Sequence, residues 1–244
     1  MRFGSELEDF VVYSAPTLTT GPRPSDSFYL RFGKRCFDFV FATAGLLLLL
    51  PFLVIIGLAV RLTSRGPMLF RHIRLGRFGA PFQMLKFRSM RVGSEKGSPL
   101  TAAGDPRITR LGVWLRRSKV DELPQLWNVV CGEMSLVGPR PEVPTFVAEY
   151  SQRQRQVLCI RPGITGPEID VYEEQLLASR EDKEAFYLKT VMPGKLERDL
   201  EYLQNVDFFS DIAILFQTFK KLLIRVHDPF KQGAHPPATS DRAL

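Results

Sequence analysis

The chain is poor in the residues from which metal knuckles, disulfide frameworks and imidazole catalysis are built. It has three cysteines and three histidines in 244 residues. Cys36, Cys131 and Cys159 are too few and too scattered for a disulfide framework or a Cys-x-x-Cys site, which fits a reducing compartment. His72, His227 and His235 lack the spacing of zinc ligands. There is no Walker loop, no Gly-x-Gly-x-x-Gly fingerprint and no Gly-x-Ser-x-Gly elbow. The sequence also lacks an internal repeat, and charge is missing altogether from Phe39 to Val60.

What is present can bury a core: 45% of residues are hydrophobic and 24% charged, in a length that suits one domain. The net charge of +7 is uneven. Residues 1–140 hold 20 basic and 10 acidic side chains, residues 141–244 hold 13 and 16. The front half therefore seeks polyanions such as phosphates, nucleotides or an anionic membrane surface. Nucleic-acid binding rests on that charge alone, and nucleic acid is not an expected partner.

The uncharged run of 22 residues, Leu46 to Leu50 among them, would make a straight helix of roughly 33 Å, enough for a hydrocarbon core of ~30 Å. It is no signal peptide, because it starts far from the N-terminus and arginines follow it. Pro51 near its midpoint removes a backbone hydrogen bond and predicts a kink. Basic residues flank both ends: Arg31, Lys34 and Arg35 before, Arg61, Arg65 and Arg71 after. A re-entrant hairpin satisfies the positive-inside bias at both ends, whereas a single crossing satisfies it at one. A straight anchor with a tolerated proline and a buried soluble helix are the other two readings.

The expected fold is α+β and mostly helical, a re-entrant helix-break-helix hairpin joined to a small cytoplasmic catalytic domain with surface amphipathic helices. Residues 1–27 read as a disordered tail and residues 28–62 as a lead-in and membrane helix broken at Pro51. Residues 63–227 read as the catalytic domain and 228–244 as a second disordered tail. Met68–Arg74 and Pro81–Arg88 alternate apolar and basic residues around Leu75-Gly76-Arg77-Phe78-Gly79, a hairpin signature. Val92–Pro106 reads as a long loop. Helices are expected over 107–117, 123–130, 143–156, 196–204 and 211–224, the last with an apolar stripe suited to the core or to a bilayer.

Asp121-Glu122 is the pair most suited to chemistry. It follows Arg116-Arg117-Ser118-Lys119 and precedes Leu123-Pro124, a helix start. The positive helix end and the cations favour an ionised, nucleophilic carboxylate. Ser118 with Asp121 also matches a plain capping box. Gly138-Pro139-Arg140-Pro141 presents an arginine between prolines, and Arg161-Pro162-Gly163-Ile164-Thr165-Gly166 offers glycines through which a backbone can approach an anion; both read equally as turns. Lys86, Arg88 and Arg91 suit phosphate or anionic lipid.

Five segments occur in order after the proline-centred apolar run: Lys86–Met90, Asp105–Gly112, Asp121–Val129 (DELPQLWNV), Met134–Pro141 and Arg161–Gly166. From about Lys34 to Leu223 the chain resembles the bacterial sugar transferases, the monotopic polyprenyl-phosphate phosphoglycosyl transferases, in their short form. That resemblance implies transfer of a sugar 1-phosphate from a UDP-sugar to undecaprenyl phosphate with Mg²⁺, releasing UMP through a covalent aspartyl-phosphosugar, as the first step of exopolysaccharide or glycoconjugate synthesis. Carried onto this chain, it implies Asp121 as nucleophile and metal contact, Glu122 in proton transfer or acceptor positioning, and Arg116 and Arg140 in phosphate binding. Lys86, Arg88 and Arg161 complete the substrate-binding set. It further implies the bacterial inner membrane, with the active site on the cytoplasmic face among inner-membrane lipids, and a second copy of the chain or downstream glycosyltransferases as protein partners. The chain departs from the family at Leu50, where serine is common, and after Gly166, where Pro167–Tyr172 replaces a Leu-Ala-Gln-Val-Asn-Gly-Arg pattern. The second departure motivates an alternative, a catalytically altered membrane-anchored scaffold.

Overall fold

The computed structural model describes residues 28–94, 100–102, 104–167 and 182–227. Both expected tails, part of the 92–106 loop and the divergent segment from Glu168 lie outside the described residues.

A π-helical turn, Tyr29–Gly33, runs directly into helix α1, Lys34–Thr63. The lead-in and the apolar run are thus one element, long and apolar enough to cross a membrane. Pro51 sits inside α1, and the helix continues past it instead of ending there. A proline removes one N–H but its φ suits a helix, so it need not terminate the rod. The buried residues of α1 are Lys34, Asp38, Ala42, Leu53, Ile56, Gly57 and Val60, with Leu46 and Leu49 partly covered between them. Their spacing of three and four traces one face along both halves of the helix. The opposite face is apolar and exposed, with Phe41, Leu47, Leu48, Val54, Ile55 and Leu62 open.

The inner face holds polar anchors that sequence reading assigns to a membrane flank. Lys34 turns inward, its ammonium bonded to the fully buried Asp211 carboxylate and, at 3.2 Å, to the Tyr202 hydroxyl. Arg35 donates to Val129 O at 2.6 Å and Val130 O at 2.8 Å. The Asp38 carboxylate accepts from the Ser135 hydroxyl at 3.0 Å and from Leu136 N at 2.9 Å.

Against this inner face packs the rest of the chain. Strands β1 (Leu69–Leu75) and β2 (Pro81–Phe87) form the expected antiparallel hairpin, Leu75 opposite Pro81 and Phe70 opposite Lys86. Helix α2 (Arg110–Arg117) starts where the Thr109 side chain accepts from Gly112 N. It ends at Lys119, whose φ of 57° turns the chain into a short 3₁₀ segment, Val120–Glu122. Helix α3 (Gln125–Cys131) follows, then strand β3 (Ser135–Val137) and helix α4 (Pro144–Ala148). The single helix expected over 143–156 is really two pieces, α4 and a 3₁₀ segment Gln154–Cys159. The break comes where Ser151 and Gln154 bond each other's backbone N–H groups with their side chains, a local alternative to the helical ladder.

Strand β4 (Gly163–Thr165) runs parallel to β3. At this crossing the glycines serve a different purpose from the expected anion approach. A Cβ on Gly163 would stand 2.2 Å from Gly138 N, and one on Gly138 would stand 2.5 Å from Arg161 O. The two Gly-Pro motifs therefore need glycine so that two backbones can touch. Helix α5 (Lys183–Phe186), a π turn, helix α6 (Met192–Gln204) and helix α7 (Phe208–His227) complete the described fold. The stripe expected on α7 (Ile212, Leu215, Phe216, Phe219, Leu222 and Leu223) divides: Leu215 lies partly buried against the main core, while Ile212, Phe216, Phe219 and Leu223 are exposed.

Candidate active site

Two apolar clusters on α1 position the Asp121-Glu122 pair. Val120 and Leu123, on either side of the acids, pack with Leu53, Ile56, Val60, Phe87 and Leu115. Leu126 and Val129 of α3 pack with Ala42, Phe82, Met84 and Met134. Leu46 and Leu49 border both clusters. The acid-bearing turn thus rests on the stretch of α1 around Pro51, which explains how an apolar helix can fix the height of a polar site.

The acids do not open a helix through a capping box. They lie in the 3₁₀ turn that precedes α3, and the Ser118 hydroxyl donates backwards to Trp114 O at 2.9 Å. Both are buried, Asp121 at 4% exposure and Glu122 at 7%. Their environments differ. Glu122 Oε1 accepts from Lys86 Nζ at 2.8 Å and from Arg140 Nη2 at 2.9 Å, with Lys119 Nζ at 3.9 Å. Burial alone would raise its pKa, but Arg140, Lys86 and Lys119 outweigh it and hold the carboxyl well below its ordinary value. Asp121 Oδ1 is buried without a hydrogen-bond partner. Contrary to the expectation that the helix end and the cations favour the ionised form, burial, and then the neighbouring Glu122 charge, raise the Asp121 pKa, while Lys86, Lys119 and Arg116 oppose the rise. Burial likewise lowers the Lys86 pKa against the pull of Glu122. A buried carboxylate oxygen with nothing to bond is costly, and such groups concentrate where a ligand or reacting atom completes the set.

Of the residues singled out in the sequence, Lys86, Arg116 and Arg140 gather around the pair. Arg88 and Arg161 do not. Arg88 is buried and its Nη2 clasps the end of α1 through Ser64 O at 2.6 Å and Ser64 Oγ at 2.7 Å. Arg161 donates from Nε to Gly132 O at 2.8 Å, beside the carbonyls of α3 that Arg35 binds. Lys119, already a neighbouring cation in the sequence, meets Glu122 across a left-handed turn. One contributor escapes the sequence reading. Asn128, fully buried, accepts from Leu85 N at 3.0 Å and donates to Gln83 O at 2.8 Å, so α3 grips the strand that carries Lys86. Its place in the DELPQLWNV run was the available signal.

No three His, Cys, Asp or Glu residues cluster as a metal site among the described residues. The carboxylate left for a cation is Asp121, whose buried Oδ1 has no hydrogen-bond partner; Glu122 is committed to its cations. One carboxylate is a small set, and it fits a magnesium ion that keeps waters and shares substrate phosphates.

These features define a protein with one long apolar helix whose inner face supports a buried carboxylate pair ringed by cations. A profile of the bacterial sugar transferase family matches residues 29–225. The chain is 40% identical over 193 residues to the UDP-glucose:undecaprenyl-phosphate glucose-1-phosphate transferase of Escherichia coli, covering 77% of this chain and 39% of that protein. It is 39% identical over 208 residues to the protein of the same name from Caulobacter vibrioides (83% and 73%). The exopolysaccharide production protein PSS of Rhizobium leguminosarum is 37% identical over 204 residues (79% and 96%). The protein belongs to the bacterial sugar transferase family. It spans under half the length of some curated relatives it matches and nearly all of others.

Proposed function

We propose that this chain is an undecaprenyl-phosphate sugar phosphotransferase, passing a sugar 1-phosphate from a UDP-sugar to undecaprenyl phosphate. The observation that carries the proposal is the buried, unpartnered Asp121 Oδ1 within a ring of cations. An Asp121 oxygen attacks the sugar-bearing phosphorus, an O–P bond forms, the bond to the bridging oxygen breaks and UMP leaves. An oxygen of the acceptor phosphate then attacks the same phosphorus. The aspartyl bond breaks and the lipid-linked sugar diphosphate is released. Lys86, Arg116 and Arg140 stabilise charge on the phosphates. Glu122 serves as the counter-ion that aims Lys86 and Arg140; with its pKa held low it is a weak base. The acceptor needs no strong base, because a phosphate monoester has a second pKa of about 6. Mg²⁺ held by Asp121 and donor phosphates would supply charge compensation at the transferring group. The initiating step of exopolysaccharide or glycoconjugate synthesis is the place this reaction fits.

Wild-type protein in detergent or nanodiscs, given a UDP-sugar panel and undecaprenyl phosphate, is expected to release UMP with at least one donor. No UMP with any donor would refute the assignment.

The same proposal seats α1 as a re-entrant element in the bacterial inner membrane, active site on the cytoplasmic face. Its support is that both ends of α1 bind one domain, through Arg35 to Val129 and Arg88 to Ser64, while the outer face is apolar. A helix tied to one domain near both ends is better suited to entering and leaving by the same face, as the basic residues at both ends also favour. In a cysteine-free background, F28C and R65C are each expected to react with an impermeant maleimide from the cytoplasmic side alone. Labelling from opposite sides would overturn this seating.

A further inference from the structure

The mechanism leaves a buried charge cluster unused two residues from Arg140. The Glu142 carboxylate, 10% exposed, accepts from the Tyr187 hydroxyl, from Lys195 Nζ at 3.1 Å and from Arg74 Nη1 at 3.4 Å. Lys195 also donates to the Tyr187 oxygen at 2.9 Å. The main chain there is held as well: Leu75 N donates to Glu142 O at 3.1 Å, and Arg74 Nη1 to Pro141 O at 3.3 Å. On the other side of Arg140, Gly138 N donates to Thr165 O and Gly163 N to Pro139 O, both at 2.9 Å. Arg140 is thus strung between two anchored stretches, and proline on each side leaves its backbone little freedom.

Replacing such a cluster by packed apolar side chains is often neutral or favourable for stability, so stability alone accounts poorly for its presence. Geometry accounts for it better. The β1–β2 hairpin contributes Arg74 to Glu142 at one end and Lys86 to Glu122 at the other. Lys86 pairs with Phe70, four residues from Arg74, a spacing of about 13 Å along the strand. Arg140 bridges the two carboxylate centres, covalently to Glu142 through Pro141 and by its guanidinium to Glu122. Tyr187 and Lys195 come from the C-terminal helical unit.

We propose that Glu142, held by Arg74, Tyr187 and Lys195, is a positioning residue that fixes Arg140 against Glu122 and the donor phosphates. The inference rests on the functional reading above. Its test is a double-mutant cycle on the full chain, with rates expressed per active site from the burst of UMP release and with KM for the UDP-sugar measured alongside. Arg140→Ala is expected to lower kcat/KM about 100-fold, and Glu142→Gln about 10-fold or more. Because Glu142 acts through Arg140, the double variant should match Arg140→Ala alone. A merely structural Glu142 would instead lower the active fraction, leave kcat and KM per site unchanged, and add nothing to the cycle. Should Glu142→Gln fail to fold, Tyr187→Phe removes one bond to the same carboxylate and should show a smaller loss with the same non-additivity. Turnover by the wild type with losses that multiply, or with no loss per site in Glu142→Gln, would overturn the inference alone. No turnover by the wild type would overturn it together with the functional reading.

Discussion

Asp121→Asn is expected to abolish UMP release, with a loss of at least about 10⁴-fold in kcat, because the amide removes the attacking oxygen without changing its shape. The variant should nonetheless be as stable as the wild type or slightly more so. The carboxylate it replaces is buried, lacks a hydrogen bond at Oδ1 and lies beside another negative charge. Relief of that strain would raise Tm by about 2–4 °C if it amounts to about 1 kcal/mol. A folded Asp121→Asn protein with wild-type UMP release would show that the nucleophile lies elsewhere.

Glu122→Gln is expected to act with the opposite sign on stability. Its carboxylate is the shared partner of Lys86, Arg140 and Lys119. Loss of its charge leaves cations facing one another, with Lys86 partly buried and Arg140 half-exposed, at a cost of about 2 kcal/mol or about 4–8 °C in Tm. Turnover should fall about 100-fold as Lys86 and Arg140 lose their aim. Thermal unfolding followed beside UMP release separates the counter-ion role from the proton transfer that the family resemblance implies. A proton carrier would lose rate and keep its Tm; a counter-ion loses both. Adjacent acids with opposite stability effects are what the different surroundings of the two side chains require.

Much of this site was legible before any coordinates. The alternation around Leu75–Gly79 gives the hairpin, and the DELPQLWNV run gives the acids and, unnoticed, Asn128. Patterns of that kind are local, and they report which residues share a face. They do not report which distant partner a polar side chain meets. Lys34 and Arg35 read as flanking charges for a membrane, yet one is buried against Asp211 and the other binds the carbonyls of α3. Arg88 reads as a ligand for phosphate or anionic lipid by its charge and Arg161 as a phosphate ligand or a turn by its Arg-Pro-Gly motif, and both bind backbone carbonyls. The left-handed Lys119 could not be foreseen either, because only the fold's need for a turn at the end of α2 puts a non-glycine residue there. Gly163 reads as a glycine that admits close approach of an anion, and Gly138 only as part of the turn that presents Arg140. The approaching group is another strand, a pairing between segments some 25 residues apart that no short motif encodes.

The covalent step is the claim on which the rest depends, and intact-mass spectrometry addresses it most directly. Wild-type protein mixed with a UDP-sugar it uses, in the absence of undecaprenyl phosphate, should gain the mass of one sugar phosphate. Peptide mapping should place it on Asp121, and adding the lipid acceptor should remove it. UMP release and lipid product with no mass gain on the protein, under rapid quenching, would contradict the account and show direct transfer between the two substrates.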